Sequence, residues 1–174
     1  MVYDVDVTPD GSRLVAANLK GKVGVWDIAS GQQLHEWNLA DAQVWSLAID
    51  PSGKSVVLGT NGGGAHGCDL DSGEHQRTFP KLKTHQGWSL GIHTISFSSD
   101  GGRFVIGAGG TGEEPGIAQL WPIDEGPLIN EYSGQVAPGL SDNISSDGMF
   151  VPATGANEPP LWVLSTGSIT ARLL

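Results

Sequence analysis

Residues 2–37 read VYDVDVTPDGSRLVAANLKGKVGVWDIASGQQLHEW, and this stretch decides the fold. Val5 and Val7 alternate with acids and run into Asp10-Gly11, a pair that tolerates the positive backbone angles of a tight hairpin turn. Arg13–Ala17 forms a second short strand, and a third ends at Trp26. Ser30-Gly31 supplies another tight turn before a fourth strand over Gln32–Trp37. Four short strands joined by tight turns make one antiparallel sheet, with no 3.6-residue period to suggest a helix.

Working outward, the pattern recurs three times. The first turn returns as Ser52-Gly53, Asp100-Gly101 and Asp147-Gly148, at spacings of 42, 48 and 47 residues. The second returns as Ser72-Gly73, Glu125-Gly126 and Thr166-Gly167, at spacings of 42, 53 and 41. Third strands end at Cys68, Trp121 and Trp162. The repeat units fall at about residues 1–37, 43–79, 92–132 and 139–174, a single array. A four-stranded unit of this length is the size of one propeller blade. The expected fold is therefore all-β, with four four-stranded antiparallel sheets as blades of a β-propeller. The fourth unit is the least regular, because Pro152 interrupts its second strand and Pro159-Pro160 precede its third.

Gly24-Val25-Trp26-Asp27 followed by Ser30-Gly31, with Thr8-Pro9-Asp10-Gly11 upstream, resembles the WD-repeat β-propeller family. The resemblance covers nearly the whole chain in degenerate form. Cys68-Asp69 keeps the Asp and loses the Trp, whereas Trp121-Pro122 and Trp162-Val163 keep the Trp and lose the Asp. The family's Gly-His pair ahead of strand one is absent. The resemblance implies a protein-interaction scaffold whose long-loop face carries partners.

Composition narrows the function classes. The chain has 9 basic and 19 acidic residues, a formal net charge of −10. Arg172 is the sole basic residue beyond position 104. Such a chain lacks the footprint for phosphate backbones and is repelled by anionic membranes, so neither nucleic acid nor membrane is expected as a partner. One cysteine, Cys68, excludes an internal disulfide and a cysteine-based zinc site. The first residues carry acids where a signal peptide carries a basic start. No apolar run approaches a membrane helix. These features favour the cytoplasm but leave the compartment open.

Four blades raise a closure problem, because an open arc leaves two apolar blade faces bare. Three arrangements solve it. The array continues in a longer chain, two copies close an eight-bladed ring by two-fold symmetry, or four blades close alone.

The loops separate by length. Turns between strands one and two and between three and four are short. The others, including Pro80–Gly91 and Ala108–Gly116, are long and lie on the opposite face. Long loops on a rigid scaffold concentrate binding residues. Tyr3, Trp45, His93 and Leu140 occupy equivalent positions at the start of strand one, near the channel rim. They are either anchors for a protein or peptide partner or caps on the core. Lys83, His85 and Trp88 lie in the loop KLKTHQGWSLG, which suits an acidic or amide-rich peptide. Glu113 and Glu114 form an acidic lip suited to a basic partner.

No catalytic, cofactor or metal site is expected, so the chain reads as a non-enzyme. Gly107, Gly109 and Gly112 match G-x-G-x-x-G, but no helix follows to aim amides at a phosphate. His66, Cys68 and His75 cluster in sequence, yet His75 falls beyond a turn. The alternative reading is an enzymatic or ligand-sensing propeller with a site at the channel mouth near His93 and Asp142, or a regulatory array within a larger protein.

Overall fold

The computed structural model describes residues 1–40, 42–83, 87, 89–109, 116–124, 126–134, 150–152, 160–163 and 168–172, with side chains described through residue 132. The described residues form strands and turns, with no helix among them. Strands β1 (Val2–Val7), β2 (Arg13–Asn18), β3 (Lys22–Asp27) and β4 (Gln33–Asn38) build one antiparallel sheet in chain order. Strands β5 (Val44–Ile49), β6 (Ser55–Thr60), β7 (Ala65–Asp69) and β8 (His75–Phe79) repeat it. Strands β9 (Ile92–Phe97), β10 (Arg103–Ala108), β11 (Gly116–Pro122) and β12 (Asn130–Gly134) form the third. The fourth sheet holds β13 (Phe150–Pro152), β14 (Pro160–Val163) and β15 (Ser168–Arg172). This sheet has three strands among the described residues where the repeat leads one to expect four. The expected first strand falls outside them.

The motif residues act locally as their chemistry requires. Asp10 closes the first turn: its Oδ1 accepts the Thr8 hydroxyl at 2.6 Å and the Ser12 N–H at 3.0 Å. Gly11 there has φ 71°, a left-handed angle that glycine adopts without strain. The same device recurs in the third sheet, where Asp100 accepts the Ser98 hydroxyl at 2.6 Å and the Gly102 N–H at 2.9 Å. Asp27, the acid of the Trp-Asp pair, caps the second turn by accepting the Ser30 N–H at 2.7 Å. Asp69 does so for Ser72 at 2.8 Å.

The core lies between sheets, as it must when each blade can bury its faces only on its neighbours. One cluster joins Val15, Ala17, Val23 and Val25 of the first blade to Leu47, Ile49, Val56, Leu58, Cys68 and Leu70 of the second. A second cluster joins Val57, Ala65 and Phe79 to Ile92, Ile95, Phe104, Ile106 and Trp121. Each blade therefore has a leading face, met by the blade before it, and a trailing face, met by the blade after it.

Polar side chains stitch the same seams through backbone groups. Asp4 Oδ2 accepts the Leu47 N–H at 2.7 Å, and Asp6 Oδ2 accepts the Ile49 N–H at 2.9 Å. The other oxygens accept Val5 N–H and Val7 N–H, at 2.9 and 2.8 Å. Each carboxylate thus ties equivalent amides of neighbouring inner strands. Arg13 pairs with Asp71 and donates to the Gly53 carbonyl at 2.8 Å.

Pro122 replaces the capping Asp in the third sheet, and there a cation from the second blade holds the turn by its carbonyls instead of its N–H groups. The Arg77 guanidinium donates to the carbonyls of Pro122, Asp124 and Gly126, at 3.2, 2.6 and 2.6 Å. It also lies 4.4 Å from the Phe79 ring centroid and 5.6 Å from that of Trp121. Trp121 Nε1–H donates to Gln119 Oε1 at 3.1 Å, which satisfies the buried indole within its own strand.

Candidate functional site

Residues 80–83 and 89–91 run beside each other and are pinned by Leu82 and Leu90, both buried in the core between the second and third blades. The Leu82 N–H donates to the Gly63 carbonyl at 3.0 Å, and the Leu90 N–H donates to the Leu82 carbonyl at 3.0 Å. Lys83 bridges to Ser89 between these segments and is exposed. Gly63 lies directly beneath: a β-carbon there would stand 2.6 and 2.7 Å from the Leu82 and Leu90 carbonyl oxygens. The two segments therefore form a packed platform against the β6–β7 turn.

Beside this platform runs the rim of the inner strands. The rings of Tyr3 and Trp45 stack with centroids 6.2 Å apart and planes 20° apart. Trp45 also meets the His93 imidazole at 5.1 Å, tilted by 43°. Three positions that are equivalent in the repeat thus form one continuous aromatic ladder. Each of the three residues sits at an irregularity in strand register near the start of its strand, between Val2 and Asp4, between Val44 and Ser46, and between Ile92 and Thr94.

Gly91 makes room for the middle rung. A β-carbon there would stand 2.5 Å from the Trp45 ring. Trp45 and His93 are half-buried, and Tyr3 is 47% exposed. Burial lowers the His93 pKa, so its imidazole is held toward the neutral form. The ladder offers flat, largely uncharged π-faces at a loop-rich rim, a surface suited to apolar and aromatic side chains, amides and cations.

Of the sequence-predicted site residues, the structure brings Tyr3, Trp45 and His93 together and places Lys83 on the neighbouring paired segments. Leu140, His85, Trp88, Glu113 and Glu114 lie outside the described residues, as does Asp142.

One juxtaposition differs from the sequence reading. His66 Nδ1 and His75 Nε2 stand 3.4 Å apart, because β7 and β8 are adjacent antiparallel strands. Burial, His75 and Lys81 lower the His66 pKa in that order, and the Thr78 hydroxyl lies 2.9 Å from His75 Nε2. Cys68 instead is packed in the first interblade core, where burial pushes its thiol pKa up to about 11. Such a thiol is unreactive at neutral pH. Gly91 carries no sequence signal, since its role emerges only once Trp45 is placed above it.

The chain matches no family model. It is 27% identical over 177 residues to a guanine nucleotide-binding protein subunit beta-2 of Nicotiana tabacum, covering 99% of this chain and 44% of that protein. It is 28% identical over 178 residues to the subunit beta of Arabidopsis thaliana, covering 99% and 44%. The subunit beta of Oryza sativa subsp. japonica shares 25% identity over 179 residues, covering 98% and 46%. Together with the repeated four-stranded sheets, this likeness settles the nature of the repeat.

The repeats are WD repeats.

They are degenerate ones, and the departures have physical consequences: Cys68 for Trp and Pro122 for Asp are each accommodated by the packing described above. The WD-repeat chain spans about half the length of the curated relatives it matches.

Proposed function

We propose that this WD-repeat chain is a non-catalytic interaction scaffold that binds a protein or peptide on its long-loop face. The observation that carries the reading is the Tyr3–Trp45–His93 ladder at the rim. Its relatives are named as subunits, which supports assembly with other proteins. The mechanism is rigid display. Interblade cores fix the inner strands, the strands fix the rings, and the paired segments around Leu82 and Leu90 wall one side. Preorganised aromatics lose little conformational entropy on binding and commonly dominate interface energetics.

The test uses peptides selected from a random phage-displayed library on the immobilised chain. Trp45→Ala is expected to weaken the selected peptides about thirtyfold, the loss of roughly 2 kcal/mol typical of an aromatic anchor. Its thermal unfolding is expected to remain cooperative. Leu34→Ala, on the outer strand β4, is expected to leave affinity unchanged. If Trp45→Ala unfolds the domain, Trp45 is a core cap, and the site is wrong. If the peptides ignore the substitution, the rim is not the binding surface.

A further inference from the structure

A fault in the β7–β8 ladder places the His66–His75 pair. Gly67 pairs with Arg77 and Cys68 with His75, so Gln76 has no opposite number and forms a bulge. Residues three apart on a regular strand point to opposite faces. Across this bulge His75 and Thr78 share one face instead, and the Thr78 hydroxyl lies 2.9 Å from His75 Nε2. His66 stands opposite Thr78 on β7 and brings its Nδ1 to 3.4 Å from the same nitrogen. The ring centroids are 5.5 Å apart, so the rings meet through these nitrogens and not face to face. Gly64 leaves room for the far edge of the His66 ring, since a β-carbon there would stand 3.2 Å from Nε2.

We propose that His66 Nδ1 and His75 Nε2 form the two-histidine clamp of a zinc site on the outer half of the second blade. Zinc takes imidazole nitrogens at about 2.0–2.1 Å with tetrahedral angles, which sets two such nitrogens about 3.3–3.4 Å apart. The observed 3.4 Å matches that bite and is longer than a good N–H hydrogen bond. Imidazole binds metal in its neutral form. Burial, then His75 and Lys81, lower the His66 pKa, so this ligand is held toward that form. Lys81 also repels a dication, whereas the net charge of −10 on the chain attracts one. His75 is exposed and His66 half-buried, so the clamp opens to solvent. Among the described residues no group of three or more His, Cys, Asp or Glu side chains gathers. The remaining positions of the tetrahedron therefore fall to water, the arrangement of a zinc that can take a further ligand. The clamp is separate from the aromatic ladder, because β7 and β8 are the outer strands of their sheet and β5 the inner one.

Calorimetric titration of zinc chloride into the full chain, carrying no added histidine tag, is expected to give one equivalent bound at neutral pH with micromolar affinity. His75→Gln is expected to weaken that binding at least about tenfold, since losing a group that merely orients a metal ligand commonly costs as much. The His75 side chain is exposed, so this variant is expected to keep the far-UV spectrum and unfolding midpoint of the parent. His66→Gln is expected to weaken zinc binding equally. His35→Gln, on the exposed strand β4, is expected to leave it unchanged. The absence of saturable zinc binding overturns the proposal. So does binding that survives His75→Gln at full strength, or that falls with His35→Gln instead.

Discussion

The Asp4 carboxylate hydrogen-bonds the Leu47 amide at 2.7 Å across the seam between two blades. Burial raises its pKa above the ordinary value, and neighbouring Asp6 adds to this, against the lowering effect of the Leu47 and Val5 N–H groups. A carboxyl that holds its proton more tightly in the folded state stabilises the fold at acid pH and loses that contribution as pH rises through the folded pKa. Asp10 has the opposite sign. Hydrogen bonds from Thr8 and Ser12 lower its pKa to about 2, so its contribution is present above the unfolded value and lost as pH falls through about 2. Asp4→Asn is therefore expected to gain stability relative to the parent as pH rises from acid toward neutral. Asp10→Asn is expected to lose stability over the same range. Urea unfolding at a series of pH values checks both, and two slopes of the same sign would refute the assignment.

Arg77 is expected to be among the most sensitive charged positions in the second blade. Its guanidinium satisfies three carbonyls of the turn after β11 and lies over two aromatic rings, a geometry that needs a planar fork. Replacement by Met is expected to cost about 1.5–3 kcal/mol, the range for hydrogen bonds to charged groups. Lys is expected to recover less than half of that, because one ammonium cannot reach all three carbonyls. The readout is the urea midpoint at constant slope.

Two glycines are expected to fail for different reasons. A β-carbon at Gly59 would stand 2.4 Å from Ser46 Oγ and 2.5 Å from Ile92 Cγ2, inside the seam between the second and third blades. At Gly11 nothing lies within 4 Å, but φ is 71°. Alanine is expected to cost about 1–3 kcal/mol at Gly59 by overpacking and roughly 1–2 kcal/mol at Gly11 by left-handed strain. Asparagine separates the causes. It tolerates the left-handed region, so Gly11→Asn is expected to be milder than Gly11→Ala, and Gly59→Asn worse than Gly59→Ala. Thermal unfolding of the four variants decides the matter.

The turns are legible in the sequence because their chemistry is local. Asp10 and Ser12, or Asp27 and Ser30, lie within three residues of each other, and spacing alone reveals them. The rim is legible by equivalence, since the period of the repeat by itself aligns Tyr3, Trp45 and His93. What joins the blades is not. Asp4 reaches Leu47 across 43 positions and Arg77 reaches Gly126 across 49, and neither pair carries a motif. In the linear sequence a turn separates His66 from His75, yet a hairpin turn is what brings two residues side by side.

The bridging acids carry one more consequence. Asp4 and Asp6 grip main-chain N–H groups, and the identity of the residues at 47 and 49 does not enter those bonds. These bonds recognise backbone and set the pitch of the joint, while the Leu47 and Ile49 side chains fill its apolar core. A blade exchanged at this junction would keep the polar half of the joint at once, before its apolar side chains had adapted. The hydrogen-bonded half of the coupling is blind to the letters at 47 and 49, and the apolar half reads them.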